Sequence, residues 1–198
     1  MSAQPIFDLT FEHNYEVQPA NELPGNGQGV IFLPSRSTTS GKDGFLLRFS
    51  PAAGAEWLGC FAFGFHPSSQ YTSGIFATPN PSYACVVSSG VAYLVNAANP
   101  EDCSQIEPRP IREVRVVIPQ GLLALADFTS IWAIGREGPT WKSERLCWDH
   151  LRIVEIKDGI LRGVGSDPTD ALNPESEFVL DLKTRRVLRS ATHRKQTN

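Results

Sequence analysis

The chain reads as an all-β protein, a small propeller-like repeat of four blades, and three observations lead to that reading. Glycine and proline, 16 and 15 of the 198 residues, interrupt nearly every window long enough to hold a helix. Between the breaks lie short runs rich in Val, Ile, Leu, Phe, Tyr and Trp, each bounded by turn formers, which is the pattern of strands. The runs also recur. When four stretches are aligned on their second strands, Phe49, Val95, Ile134 and Leu182 fall together, 46, 39 and 48 residues apart. A period of roughly 40 to 50 residues with several strands per unit is the mark of a propeller blade, and four blades is the smallest closed form. A β-sandwich of antiparallel meanders is the alternative, since it uses the same short strands and turn spacing.

The elements follow in order within one all-β domain. Unit 1–65 opens with "IFDLTF" (6–11) and continues through the strands of 29–59. Unit 66–110 holds "GIFAT" (74–78) and then "YACVVSSGVAYLVNAANPEDC" (83–103). Unit 111–147 holds "EVRVVIP" (113–119) and "LLALADFTSIWAIGREGPTWKSE" (122–144). Unit 148–198 holds "LRIVEI" (151–156) and the strands of 160–188. Middle strands such as "VAYLVNA" and "SIWAIG" are continuously apolar, as strands covered on both faces should be. Outer strands should carry charge to discourage pairing with other chains, and "WKSERL" and "RRVLRS" do. The apolar "WLGCFAFGF" (57–65) departs from this rule and calls for a partner strand or a loop lying over it.

Composition narrows the function classes. Hydrophobic and charged contents of 41% and 20% fit a soluble globular protein, and a net charge of −3 does not suit a general nucleic-acid binder. No apolar run approaches the roughly 20 residues of a membrane span, and "MSAQPIFDLTFEH" has neither the basic start nor the apolar core of a signal peptide. A cytoplasmic setting follows, with no membrane or nucleic-acid partner expected. Cys60, Cys85, Cys103 and Cys147 lack the short spacings of zinc or redox motifs, so free buried thiols are expected. The outer-strand positions of Cys60 and Cys147, and the two-strand separation of Cys85 from Cys103, place no pair within bridging distance.

Three of the four tryptophans crowd into residues 127–149. Trp132 falls on a buried strand, and Trp141, like Trp57, is placed to cover the outer end of its unit. Trp148, on the loop between the last two units, is left as a candidate for recognition. The segment 138–184 also resembles a pattern in uncharacterised bacterial all-β proteins, a Trp-x-Ser-x-Arg-Leu strand leading to an Asp-containing turn and a closing Asp-Leu-x-Thr hairpin. No activity is attached to that group, so the resemblance implies a fold and no catalytic residue.

Four further groups could carry chemistry. Asp149-His150 is half of a nucleophilic triad, but adjacent residues on a strand point to opposite faces and no Gly-x-Ser-x-Gly elbow is present. Asp158, Asp167 and Asp170 bracket "GVGSDPTD", which lacks the spacing of a calcium loop and reads as turns. His66 opens the polar loop "HPSSQYTSG" (66–74), which also carries Tyr71, and loops on a rigid β scaffold are where binding residues usually lie. The tail after Asp181, with Lys183, Arg185, Arg186, Arg189, Arg194 and Lys195, reads as a solvated edge or a dock for an acidic partner. The reading is of a non-catalytic interaction module that binds another protein or a glycan through Trp148, His150, His66, Tyr71 and Asp167. It names no catalytic residue, metal or cofactor. The alternative is a hydrolase-like enzyme with acidic residues around a central pocket.

Overall fold

In the computed structural model, residues 4–22, 29–34, 43–107, 110–168 and 175–192 are described, and among them the regular structure is seventeen strands and one 3₁₀ turn. The strands form four sheets. Sheet I contains β2 (Tyr15–Pro19), β4 (Gly44–Pro51), β5 (Trp57–Ala62) and β3 (Val30–Leu33), in that spatial order. Sheet II contains β1 (Ile6–Asp8), β6 (Gly74–Ala77), β7 (Tyr83–Ser88), β8 (Val91–Asn96) and β9 (Asn99–Ile106). Sheet III is the meander β10 (Glu113–Val117), β11 (Leu122–Ala126), β12 (Ile131–Gly135) and β13 (Gly138–Lys142). Sheet IV is the meander β14 (Asp149–Lys157), β15 (Ile160–Ser166), β16 (Glu175–Asp181) and β17 (Arg186–Arg189).

Turn chemistry sets the hairpins. Ser89 and Gly90, at φ 46° and 82°, link β7 to β8, and Asp158 and Gly159, at 53° and 85°, link β14 to β15. Two successive left-handed residues make the tight turn whose twist matches that of the flanking strands.

The first sheet departs from the strand order expected from the sequence. "IFDLTF" does not begin its sheet, because β1 crosses to sheet II and pairs parallel with β6, Ile6 opposite Gly74. The first strand of sheet I is instead "YEVQP", paired antiparallel with β4. The apolar β5 is an inner strand, because β3 adds to it in parallel, Val30 opposite Leu58 and Leu33 opposite Phe61. That extra strand resolves the apolar character of "WLGCFA". Neither Cys60 nor Cys147 lies on an outer strand: Cys60 sits within β5 and Cys147 in the linker before β14.

Three apolar seams join the sheets in the order I–II–III–IV. Phe49, Trp57 and Phe61 of sheet I pack against Ile75, Val86 and Tyr93 of sheet II. Phe76, Cys85 and Val87, on the other face of sheet II, meet Leu123, Leu125 and Ile134. Ala124, Ala126 and Ile131, on the far face of sheet III, meet Leu151, Leu161, Phe178 and Leu180. Alternate residues of one strand therefore enter different seams, which is why β6, β7, β8 and β11 read as continuous apolar runs. The far face of sheet IV is charged. Glu177, half-buried, lies between the exposed Arg162 and Arg189 at 3.4 and 2.8 Å. Among the described residues no apolar cluster joins sheet IV to sheet I.

The tryptophans are mostly structural. Trp57 is buried, stacks on Phe49 with ring centroids 4.5 Å apart, and donates its indole N–H to Ala97 O at 2.7 Å. Trp132 is half-buried, donates to Asp127 Oδ2 at 3.0 Å and lies under Lys142 Nζ. All four cysteines are free. Cys85 on β7 and Cys103 on β9 are separated by β8, since Leu94 is opposite Cys85 and Val95 opposite Cys103.

Candidate functional site

The chain topology gives the stack two different ends. Each linker between sheets enters at the end where the β7–β8 and β11–β12 turns lie, and backbone hydrogen bonds weave these segments together. In the linker from sheet I to sheet II, Gly64 and Phe65 donate to Ser88 O and Ser89 O, and Thr72 donates to Ile111 O. The linker from sheet II to sheet III returns the contact, Ile111 donating to Gly90 O. In the linker from sheet III to sheet IV, Leu146 donates to Thr129 O and Trp148 to Ser166 O. Asp127 fastens the β11–β12 turn by accepting N–H bonds from Thr129 and Ser130, each 2.7 Å long.

All five residues singled out from the sequence belong to this linker end, in two groups. His66 and Tyr71 lie on the first linker, where the Tyr71 ring stacks on Phe65 at 4.8 Å, while His66 is exposed. Trp148, His150 and Asp167 gather where β14 begins and β15 ends. Asp167 is fully buried, so it supports the loop from inside and offers no surface. Asp170, Arg194 and Lys195 lie outside the described residues.

Trp148 is exposed and held from both sides. Its N–H donates to Ser166 O at 3.0 Å, and its carbonyl accepts Arg145 Nη2 at 2.9 Å. The Arg145 guanidinium also lies 4.8 Å from the ring centroid, and its Nε donates to Cys147 O at 3.0 Å. The result is a large aromatic ring fixed at the surface by a cation–π contact and two backbone bonds.

Beside it, the fold assembles something the linear sequence does not display. Ser166 Oγ lies 3.2 Å from His150 Nδ1, and Asp149 Oδ2 lies 3.5 Å from the same nitrogen. Serine, histidine and aspartate are together, yet the geometry is wrong for a relay. A triad needs the carboxylate on one ring nitrogen and the hydroxyl on the other, so that the proton crosses the imidazole. Here both contacts converge on Nδ1, and Ser166 Oγ also lies within donating distance of Asp149 O, at 3.2 Å. Asp149 Oδ1 caps the His150 N–H at 2.7 Å, which supports the left-handed φ of 56° at that residue. The His150 side chain is 67% exposed, so water competes for every bond it makes. Ser166 escapes a reading of the sequence because it becomes a neighbour only through the β14–β15 pairing, Asp149 opposite Ser166.

The thiols are poor nucleophiles. Burial raises Cys85, Cys103 and Cys147 to about 12, with the Asp102 charge adding to Cys103 and that of Asp149 to Cys147. Burial, with a contribution from Asp43, also raises Cys60. Among the described residues no group of His, Cys, Asp and Glu is arranged to hold a metal ion, and no helix is long and apolar enough to cross a membrane.

At the opposite end the seams open into cavities. One, of about 310 Å³, lies between sheets II and III and is lined by Thr78, Asn80, Tyr83, Asp102, Arg136 and Glu137 among others. Asp102 accepts the Tyr83 hydroxyl in a short hydrogen bond, and that bond is the main reason the phenol is held above its ordinary pKa. Asn80 Nδ2 reaches across this seam to Arg136 O at 3.2 Å. A second cavity, of about 250 Å³, lies between sheets III and IV and is lined by Pro119, Gln120, Leu122, Trp141, Leu182, Lys183 and Arg185. Asp127, Asp149, His150 and Asp167 line neither cavity. The chain matches no known protein-family model, and none of the curated proteins resembles it at a significant level.

Proposed function

We propose that the protein is a non-catalytic interaction module, its four sheets serving as propeller-like blades and its linker end presenting the recognition surface to another protein. The pinned, exposed Trp148 under Arg145 carries this reading. Trp and Arg are the side chains that most often dominate binding energy at protein interfaces, and a ring already held in place loses little freedom on binding. Seams in chain order, with the two middle sheets covered on both faces, support the blade arrangement. Four free thiols, three of them buried, accord with a cytoplasmic setting.

The test is quantitative capture of a partner by the wild-type chain and by Trp148→Ala, followed by affinity measurement on the captured protein. Loss of at least 2 kcal/mol, about 30-fold, is expected for Trp148→Ala. Unchanged affinity removes Trp148 from the interface. The hydrolase reading is tested on a panel of activated esters with Ser166→Ala, His150→Ala and Asp149→Asn. Rates unchanged by all three are expected, whereas a 100-fold loss in any of them, about 2.7 kcal/mol, overturns the non-catalytic assignment.

A further inference from the structure

We infer that the linker-end interface receives a hydrogen-bond donor from its partner at His150 Nε2, and that Asp149 and Ser166 hold the ring so that this nitrogen is left as a bare acceptor. The inference rests on the Trp148 reading and names the chemistry of the contact beside it.

Among the described residues, four other than glycine have a left-handed φ. Ser89, Asp158 and Arg185 lie in the hairpin turns β7–β8, β14–β15 and β16–β17. His150, at 56°, is the exception, since it lies within β14. The register of β14 against β15 slips at the same place, between Asp149 and Arg152. Bulges of this kind re-aim a side chain, and a residue other than glycine is held in the left-handed region at a cost in stability. Neighbouring side chains on a regular strand point to opposite faces. Here the break in the strand brings the carboxylate and imidazole of adjacent residues together, Asp149 Oδ2 lying 3.5 Å from His150 Nδ1.

Counting donors and acceptors places the ring proton. Asp149 O, a carbonyl, accepts the Ser166 hydroxyl at 3.2 Å. With its one hydrogen given there, Ser166 Oγ can only accept from His150 Nδ1, also at 3.2 Å. The Asp149 carboxylate likewise only accepts. Both neighbours therefore call for a proton on Nδ1, and in the neutral ring Nε2 then carries a lone pair and no hydrogen. Nε2 makes no hydrogen bond among the described residues, and the side chain is 67% exposed.

Two residues away stands Trp148, exposed and pinned. The pair offers an apolar ring and, next to it, a single acceptor. A backbone amide, hydroxyl or ammonium group on the partner satisfies that acceptor, whereas a carboxylate does not.

Long-range proton–nitrogen correlation of the imidazole in the full chain, in alkaline buffer with the ring neutral, reads the tautomer directly. The Nδ1–H form is expected to dominate at His150 in the wild type and to give way to the Nε2–H form in Ser166→Ala. A dominant Nε2–H form in the wild type overturns the inference. Affinity is then measured for the protein captured on the wild-type chain. His150→Gly is expected to bind it about tenfold more weakly, the worth of one hydrogen bond, with the unfolding midpoint kept because glycine adopts the left-handed φ freely. His150→Asn, which also tolerates that region, replaces it should the glycine variant not fold. Ser166→Ala is expected to lose affinity by a smaller factor, through the tautomer alone. Undiminished binding by the His150 variant overturns the inference, and if Trp148→Ala still loses binding, the interface itself stands. Capture of no protein, or binding lost by neither variant, overturns both.

Discussion

The two ends of the sheet stack are made from the same strands and differ in what happens between sheets. At the linker end, backbone groups of the linkers and neighbouring sheets bond to one another, as Gly64 to Ser88 and Leu151 to Phe128 do, and the seams are sewn shut. At the turn end one backbone bond crosses a seam, from Asn14 N–H to Pro81 O between sheets I and II, the other contacts are side-chain bonds such as Asn80 to Arg136 O and Trp57 to Ala97 O, and cavities of about 310 and 250 Å³ open between sheets II and III and between sheets III and IV. A sewn end can only present what projects from it, whereas an open end can enclose. The first suits contact with a large surface and the second suits a small ligand.

The largest expected effect tests the seams on which both ends depend. Phe49 is fully buried, stacked on Trp57 and in contact with Tyr15 and Phe61. Phe49→Ala is expected to cost about 3–5 kcal/mol in denaturant unfolding. A loss below about 1 kcal/mol would show that this seam does not hold sheets I and II together.

The next effect tests whether the seam between sheets II and III is dry. Cys85 is raised by burial from 9.0 to about 12, so above pH 9 the unfolded chain has lost a proton that the folded chain keeps. Its contribution is whole below pH 9 and declines as pH rises toward 12, at a slope of about 1.4 kcal/mol per pH unit. Unfolding free energy measured across that window should fall less steeply in Cys85→Ala than in the wild type. Parallel slopes would mean that water reaches the thiol.

Two smaller effects compare the ends directly. Asp127 accepts two backbone N–H groups and the Trp132 indole N–H, and Asp127→Ala should cost about 1–3 kcal/mol by leaving part-buried donors unpaired. Asn80 makes its bond to Arg136 O in an exposed setting, so Asn80→Ala should cost about 0.5 kcal/mol. Equal costs would erase the distinction between the ends. The smallest effect lies on the solvent face of sheet IV, where Glu177→Gln breaks exposed ion pairs with Arg162 and Arg189. About 0.2–1 kcal/mol is expected there, fading as salt is added.

The all-β class and the free cysteines were legible because each rests on local signals. "KDGI" is a hairpin signal, and "VAYLVNA" is continuously apolar because both of its faces are covered. The first unit was misread because its partners are remote. Nothing local to "IFDLTF" says that it pairs with residues beginning at Gly74, nor that "VIFL" adds in parallel to the far side of "WLGCFA". The candidate sites divide in the same way. Trp148 stood out as a tryptophan without a structural place. The Ser166 contact and the gathering of Gln120, Trp141, Lys183 and Arg185 exist only after distant hairpins are brought together.

The pairing of β1 with β6 also has a consequence during synthesis. Ile6 and its partner Gly74 are 68 residues apart, so at about 5–20 residues per second β1 is made roughly 3–14 s before the strand it needs. Gly74 keeps no side chain in the way, since a Cβ there would lie 2.4 Å from Ile6 O. Until the two meet, the apolar Ile6 and Phe7, which stay about half exposed even in the finished fold, have no partner, and the β6 edge they will occupy is unpaired. On a crowded message that edge is open to the first matching strand to arrive, including β1 of a neighbouring nascent chain.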